Sequence, residues 1–134
     1  MANALYDSGR EAFLKGEISW NSDNIKVVLV DSGYSENLAS HQFLSDISVG
    51  DRVATSPNLT GKSTTAGVAD AADVTFSAVS GSPIVAMVIY KDTGSAATSP
   101  LIAFIDTATG LSLTPNGSDI EVQWDNGANK IFRL

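Results

Sequence analysis

The chain contains no cysteine, which excludes disulfides, thiolate zinc sites and a cysteine nucleophile. Long apolar runs are also missing, and no stretch approaches the roughly 18 apolar residues that a membrane helix requires. The opening segment, MANALYDSGREAFLKG, contains Asp7 and Glu11 and no apolar centre, so we expect no signal peptide. These absences predict a protein that is made in a cytoplasm, with no visible export signal and no membrane partner.

Basic residues are few and scattered along the chain. Eight Lys and Arg stand against 15 Asp and Glu, which gives a net charge of -7. No two basic residues are adjacent, so the sequence shows no basic patch. Because contacts to phosphate dominate the affinity of proteins for DNA and RNA, we expect no nucleic-acid partner.

The 134 residues fit a single domain covering residues 1–134. From residue 70 onward, short apolar runs alternate with Gly, Pro, Asn or Asp, and nothing there has the length and period of a crossover helix. Consecutive strands with short links favour antiparallel pairing. The sequence therefore predicts a mainly β fold, either an antiparallel β-sandwich or a small barrel, with one short N-terminal helix.

The pattern also predicts where the individual elements lie. The helix is expected over residues 4–15, with Asn3 as its cap and Gly16 at its end. One or two helical turns starting from Ser40 are expected within residues 40–47, and a long loop is expected after residue 55. Strands are predicted at 24–31, 52–55, 74–79, 83–92 and 100–106, and a further short strand is considered at 111–114.

The segment DIEVQWDNGANKIFRL predicts a closing β-hairpin, because Asn-Gly is a strong signal for a tight turn. A two-residue loop would pair Val122 with Ile131. A three-residue loop would pair Ile120 with Phe132 and keep the apolar residues of both strands on one face. We therefore expect the three-residue loop.

No motif identifies a catalytic, cofactor or metal site. His41 is the only histidine, and we expect it to lie on a helix surface or to cap a helix. The TGKST segment (60–64) lacks the earlier glycine and the flanking strand and helix of a phosphate-binding loop. The acidic residues lie at expected strand ends and turns, where Asp is common for local reasons. Trp20 and Tyr34 stand in polar surroundings, so we expect them to be the most exposed aromatic residues.

Seven segments of the sequence carry a resemblance to a known group of proteins. With these segments in the same order, the whole chain resembles small virion-associated proteins of tailed bacteriophages. The segments are MANALYDSGREAFLKGEISW, NIKVVLVD, ASHQFLSDI, RVATSPNLTGK, VIYKDTG, LIAFIDTATGL and WDNGANKIFRL.

The resemblance implies a non-enzymatic structural role in a virion, with no cofactor. We expect capsid decoration, in which the protein binds the major capsid protein of an assembled head, as a homo-oligomer that would be a trimer. The alternatives are a tail or head–tail connector component and, third, a carbohydrate-binding module on the virion. Residues at the helix and the C-terminal strand are the candidates for contact with partners, although we favour the competing interpretation that they only fill the core. These candidates are Leu5, Tyr6, Phe13, Ile131, Phe132 and Leu134.

Overall fold

A computed structural model describes residues 4–106, 111–124 and 131–133. The mainly β fold with antiparallel sheets and one short N-terminal helix is confirmed. Within the described ranges, no helix has the length and apolar character to span a membrane. In chain order the elements are β1 (Ala4–Leu5), α1 (Asp7–Leu14), β2 (Ile25–Val30), β3 (Arg52–Thr55), β4 (Ser63–Thr65), β5 (Val68–Asp70), β6 (Val74–Phe76), β7 (Ala86–Lys91), β8 (Leu101–Ile105), β9 (Ile120–Val122) and β10 (Phe132–Arg133).

The centre of the fold is a five-stranded antiparallel sheet with the order β1-β8-β7-β2-β3. Its three inner strands are the most apolar segments of the chain, and nearly all of their residues are buried. Long runs of β-branched and aromatic residues suit such strands, since their side chains pack well on a pleated surface. The predicted strands at 24–31, 52–55, 83–92 and 100–106 therefore correspond to β2, β3, β7 and β8.

Alternate residues of the inner strands point to opposite faces, and each face has its own core. Val27, Leu29 and Ile89 belong to a first core, on the face that packs against the small sheets. Val28 and Val88 belong to a second core on the opposite face. The sheet therefore needs a cover on both sides.

The second core is covered by residues 31–51, which we name the cover segment. Its regular structure is limited to two short 3₁₀ turns, Leu44–Asp46 and Val49–Asp51. Arg52 ties the segment down, since its guanidinium donates to the carbonyl oxygens of Leu44 at 3.0 Å and of Ile47 at 2.7 Å. A helical turn predicted to start from Ser40 is thus a 3₁₀ turn that begins later.

Two small sheets lie on the side of the first core. One has the order β10-β5-β4 and the other pairs β6 with β9. The β4–β5 hairpin lies where the sequence predicted a long loop. The prediction missed it because β4 consists of exposed Ser and Thr residues, which show no apolar alternation. Strand β6 ends at Phe76, earlier than predicted, since Ala78 has a φ of 49° and donates its N–H to Asp119.

The predicted closing hairpin is wrong. Val122 of β9 pairs with Val74 of β6, whereas Phe132 of β10 pairs with Ala69 of β5. The predicted loop of this hairpin, residues 125–127, lies outside the described residues. The two strands belong to different sheets because each finds a partner that is distant in sequence.

The N-terminal helix is shorter than predicted. Residues 4 and 5 form β1 on the edge of β8, and Tyr6, in extended conformation, precedes the first turn of α1. Asn3, the predicted cap, lies outside the described residues. Gly16 ends the helix as expected, with a φ of 75° and its N–H donated to the Phe13 carbonyl oxygen at 3.2 Å.

Gly9 allows α1 to lie directly against the backbone of β8. A Cβ atom at this position would lie 2.6 Å from the carbonyl oxygen of Leu101 and 3.1 Å from Cα of Ile102. Both neighbours are backbone atoms of an inner strand, so they cannot move aside without disturbing the sheet. The position therefore requires glycine for close approach, although glycine weakens a helix.

We predict that Gly9→Ala lowers the free energy of unfolding by about 1–3 kcal/mol, because the clash outweighs the gain in helix propensity of about 1 kcal/mol. Urea unfolding followed by circular dichroism measures the change. Gly50→Ala is the matched control, since its Cβ would meet no atom within 4 Å. Equal stability of Gly9→Ala and the wild type would contradict the close approach.

Candidate functional site

The structure divides the predicted partner-contact residues between the two cores. Leu5, Ile131 and Phe132 are buried in the first core, and Phe13 is half-buried against it. Tyr6 is fully buried in the second core. Leu134 lies outside the described residues. The described candidates are thus buried by residues of their own chain, and their contact with a partner stays a prediction.

Phe13, Trp20 and Phe132 form an aromatic cluster that holds the C-terminal strand. The Phe132 ring lies 5.2 Å from Trp20 in an edge-to-face arrangement and 6.0 Å from Phe13, measured between ring centroids. The indole Nε1 of Trp20 donates to the carbonyl oxygen of Asp70 at 3.0 Å. Trp20 is only 4% exposed, so the expectation that it is among the most exposed aromatic residues is wrong.

Tyr34 is also buried, and the same expectation is wrong for it. Its hydroxyl lies 2.7 Å from the Tyr6 hydroxyl and 2.8 Å from Nδ1 of His41. Neither Trp20 nor Tyr34 therefore presents an exposed ring to a sugar, and the carbohydrate-binding alternative stays a prediction. His41 neither lies on a helix nor caps one; it lies in the cover segment and joins the tyrosine pair.

Burial keeps the tyrosine hydroxyls of the second core protonated. Desolvation, followed by the hydrogen bond with Tyr34, raises the pKa of Tyr6 far above its ordinary range. Desolvation also raises the pKa of Tyr34, against the lowering effect of the Tyr6 hydrogen bond. Desolvation and then the Asp92 carboxylate raise the pKa of Tyr90 to about 12. The second core therefore favours neutral phenols.

The cover segment is acidic. It contains Asp31, Glu36, Asp46 and Asp51 and no Lys or Arg. Backbone N–H groups of residues 42 and 43 donate to the Asp46 carboxylate and hold its pKa below the usual range. Desolvation and then the hydrogen bond with Asp31 raise the pKa of Asp51. The outer side of this cover is therefore negatively charged.

Each Lys or Arg with a described side chain contacts an acceptor of the chain itself. Ion pairs join Arg10 to Asp7, Lys15 to Glu11, Lys26 to Asp92 and Lys91 to Asp23. Lys62 donates to the carbonyl oxygen of Asp23, and Arg52 donates to the cover segment. Every described basic side chain therefore already has an acceptor within the fold.

Among the described residues, two large apolar side chains are strongly exposed, and the sequence analysis did not select them. Leu14 at the end of α1 is 89% exposed, and Val49 in the cover segment is 76% exposed. A helical wheel contains the signal for Leu14, because it shares its face with Arg10 and Asp7, which are charged. The sequence contains no comparable signal for Val49.

The described part of the chain contains no arrangement of residues suited to a metal site or to a phosphate-binding loop. No group of three or more His, Cys, Asp or Glu residues within it could hold a metal ion. The TGKST segment leads into strand β4, whereas a phosphate-binding loop would lead into a helix. No protein-family model matches the chain, and no curated protein matches it.

We predict that Phe132→Ala lowers the free energy of unfolding by about 3–5 kcal/mol, because it removes a buried ring from the aromatic cluster. Thermal and urea unfolding measure the loss. Leu14→Ala is the control, since its side chain is 89% exposed and its removal leaves no cavity. A Phe132→Ala variant as stable as the control would show that β10 contributes little to the fold.

We predict that alkaline pH unfolds the protein through its tyrosines. Phenols titrate near pH 10 in the unfolded chain, and the pKa of Tyr90 in the fold is about 12. Between these values the folded state binds more protons, so stability is present below about pH 10 and is lost as the pH rises towards about 12. Urea unfolding at a series of pH values, with phenolate absorbance, follows this loss.

Tyr90→Phe should weaken the dependence of stability on pH above about pH 10, since it removes one of the titrating phenols. Phenolate absorbance that rises near pH 10 while the circular dichroism stays native would contradict the prediction.

Proposed function

We propose that the chain is a non-enzymatic structural protein of a tailed-bacteriophage virion, and that it decorates the outer surface of the assembled head. It would be made in the host cytoplasm and then bind the major capsid protein. Stabilisation of the head would follow from binding to the assembled shell and not to its separate subunits.

The observation that carries this proposal is the place of the resembling segments in the fold. Each strand of the five-stranded sheet lies wholly or mostly within one of them: β1, β2, β3, β7 and β8. The segment ASHQFLSDI lies in the cover segment, and WDNGANKIFRL includes β10. Since the similarity follows the framework of the fold, it supports a common architecture with small virion proteins.

Electrostatics favour a position on the outside of the head. The chain has a net charge of -7, and its described basic side chains are matched by acceptors of the chain. Packaged DNA would repel such a surface, and phosphate contacts would need free Lys or Arg. An external position on a protein shell avoids both difficulties.

Among the described candidates for partner contact, Phe13 at the end of α1 is the least buried. Leu14 is exposed there, and the half-buried Phe13 lies beside it. We propose that this end contacts either a second copy of the chain, within a trimer, or the major capsid protein.

We predict that purified virions contain this chain in hundreds of copies, because a decoration protein repeats with the symmetry of the shell. Quantitative mass spectrometry of the virions gives the copy number, and cryo-electron microscopy gives the position. About a dozen copies would favour a connector or a tail component and overturn decoration. Absence of the chain from virions would overturn the structural role itself.

A further inference from the structure

A chain of hydrogen bonds connects the cover segment to the N-terminal part of the fold. Tyr6 directly follows β1, and Tyr34 lies near the start of the cover segment. Their hydroxyl oxygens are 2.7 Å apart. The Tyr34 hydroxyl lies 2.8 Å from Nδ1 of His41, in the middle of that segment. The chain around Tyr6 and the cover segment therefore meet in one polar contact, whose tyrosines belong to the second core.

The direction of this hydrogen-bond chain is determined by a backbone group. The N–H of Asn37 points at Nδ1 of His41 at 3.2 Å, and a backbone N–H can only donate. Nδ1 must therefore carry a lone pair, which places the imidazole proton on Nε2. Tyr34 then donates to Nδ1, and Tyr6 donates to the oxygen of Tyr34.

We propose that His41 acts as a proton-sensitive latch. While Nδ1 is unprotonated, it accepts hydrogen bonds that hold the cover segment on the sheet, and protonation of Nδ1 breaks these bonds and releases the segment. A proton on Nδ1 removes the acceptor of Asn37. Tyr34 then accepts from the imidazole instead of donating to it. The phenol protons of Tyr34 and Tyr6 are left with one hydrogen bond between them, and within the described part of the chain neither hydroxyl has a further acceptor, so one buried phenol proton stays without an acceptor.

Other contacts restrain the cover segment but do not replace the acceptor. Leu44 and Ser45 donate their N–H groups to the carbonyl oxygens of Ser99 and Ala96 at 2.9 and 3.0 Å. Arg52 donates to the carbonyl oxygens of Leu44 and Ile47. The bonds to Ser99 and Ala96 form only when the cover segment lies on the sheet. The exchange of the Leu44 and Ser45 amides therefore reports whether the segment has come away from the sheet.

The charged groups that act electrostatically on the latch residues are carboxylates, whereas the Arg52 guanidinium binds carbonyl oxygens of the same segment. Glu36 and Asp46 act electrostatically on both tyrosines, and Asp46 also interacts with His41. They attract an imidazolium, but Asp46 already accepts from the backbone of residues 42 and 43. Asp31 and Asp51, at the two ends of the cover segment, form a second group that can titrate. The experiment must therefore separate His41 from this acid pair.

Amide hydrogen exchange of the whole protein tests the latch. We expect the protection factors of Leu44 and Ser45 to fall about tenfold between pH 8 and about pH 5, the interval in which histidine side chains change charge. Protection in the inner strands should stay constant, with Val28 as the reference amide. Unchanged protection of the cover amides over this interval would overturn the proposal.

Two variants separate the sensor from its surroundings. His41→Asn places an amide oxygen near the position of Nδ1, so it keeps the acceptor without the titration and should abolish the fall in protection. Asp31→Asn breaks the acid pair and should preserve the fall. An equal fall in His41→Asn, or its loss in Asp31→Asn, would overturn the proposal.

A measurement on the wild type keeps the test independent of the variants. The ¹⁵N chemical shifts of the His41 ring at pH 8 should show the tautomer with its proton on Nε2. A proton on Nδ1 would overturn the latch, because Asn37 and Tyr34 could then not both donate to that atom.

Discussion

The inner strands of the main sheet are apolar on both faces, and the need to bury the two faces together governs the rest of the structure. Val27 and Val28, neighbours in β2, are both fully buried in different cores. A sheet of this kind cannot leave one face in water, as many antiparallel sheets do. The helix, the two small sheets and the cover segment are arranged around it for this reason.

The two covers meet this need by different means. On the first face, small sheets supply Phe76, Val122 and Phe132, and backbone pairing satisfies their polar groups. On the second face the cover segment has little regular structure, so side chains must satisfy its backbone. The Arg52 guanidinium donates to backbone carbonyl oxygens of the segment, and the Asp46 carboxylate accepts from its backbone N–H groups. The second cover therefore depends on polar contacts, which respond to protonation, whereas the first depends on apolar packing.

This contrast bears on the proposed role in a virion. A decoration protein needs a framework that stays rigid while its surface meets partners, and a sheet with two cores provides one. The two most exposed large apolar side chains of the described residues lie outside that framework, at Leu14 on α1 and at Val49 in the cover segment. The cover segment thus combines a negative surface with the one histidine of the chain.

The sequence by itself determined the mainly β class and the positions of β2, β3, β7 and β8, because local periodicity and turn residues act within a few positions. It also indicated that Gly16 ends the helix. The sequence showed that the candidate contact residues are apolar, but it did not show whether the chain itself or a partner covers them.

Only the tertiary structure decided which strands pair. Phe132 lies beside Trp20 and Phe13, and Asp70 accepts from the Trp20 indole, so β10 joins β5 despite the strong local signal for a hairpin. Tyr34 is buried for a similar reason, since Tyr6 and His41 satisfy its hydroxyl. Trp20 and Ala69 lie far from Phe132 in the sequence, and Tyr6 lies far from Tyr34, so local patterns carry no information about these partners.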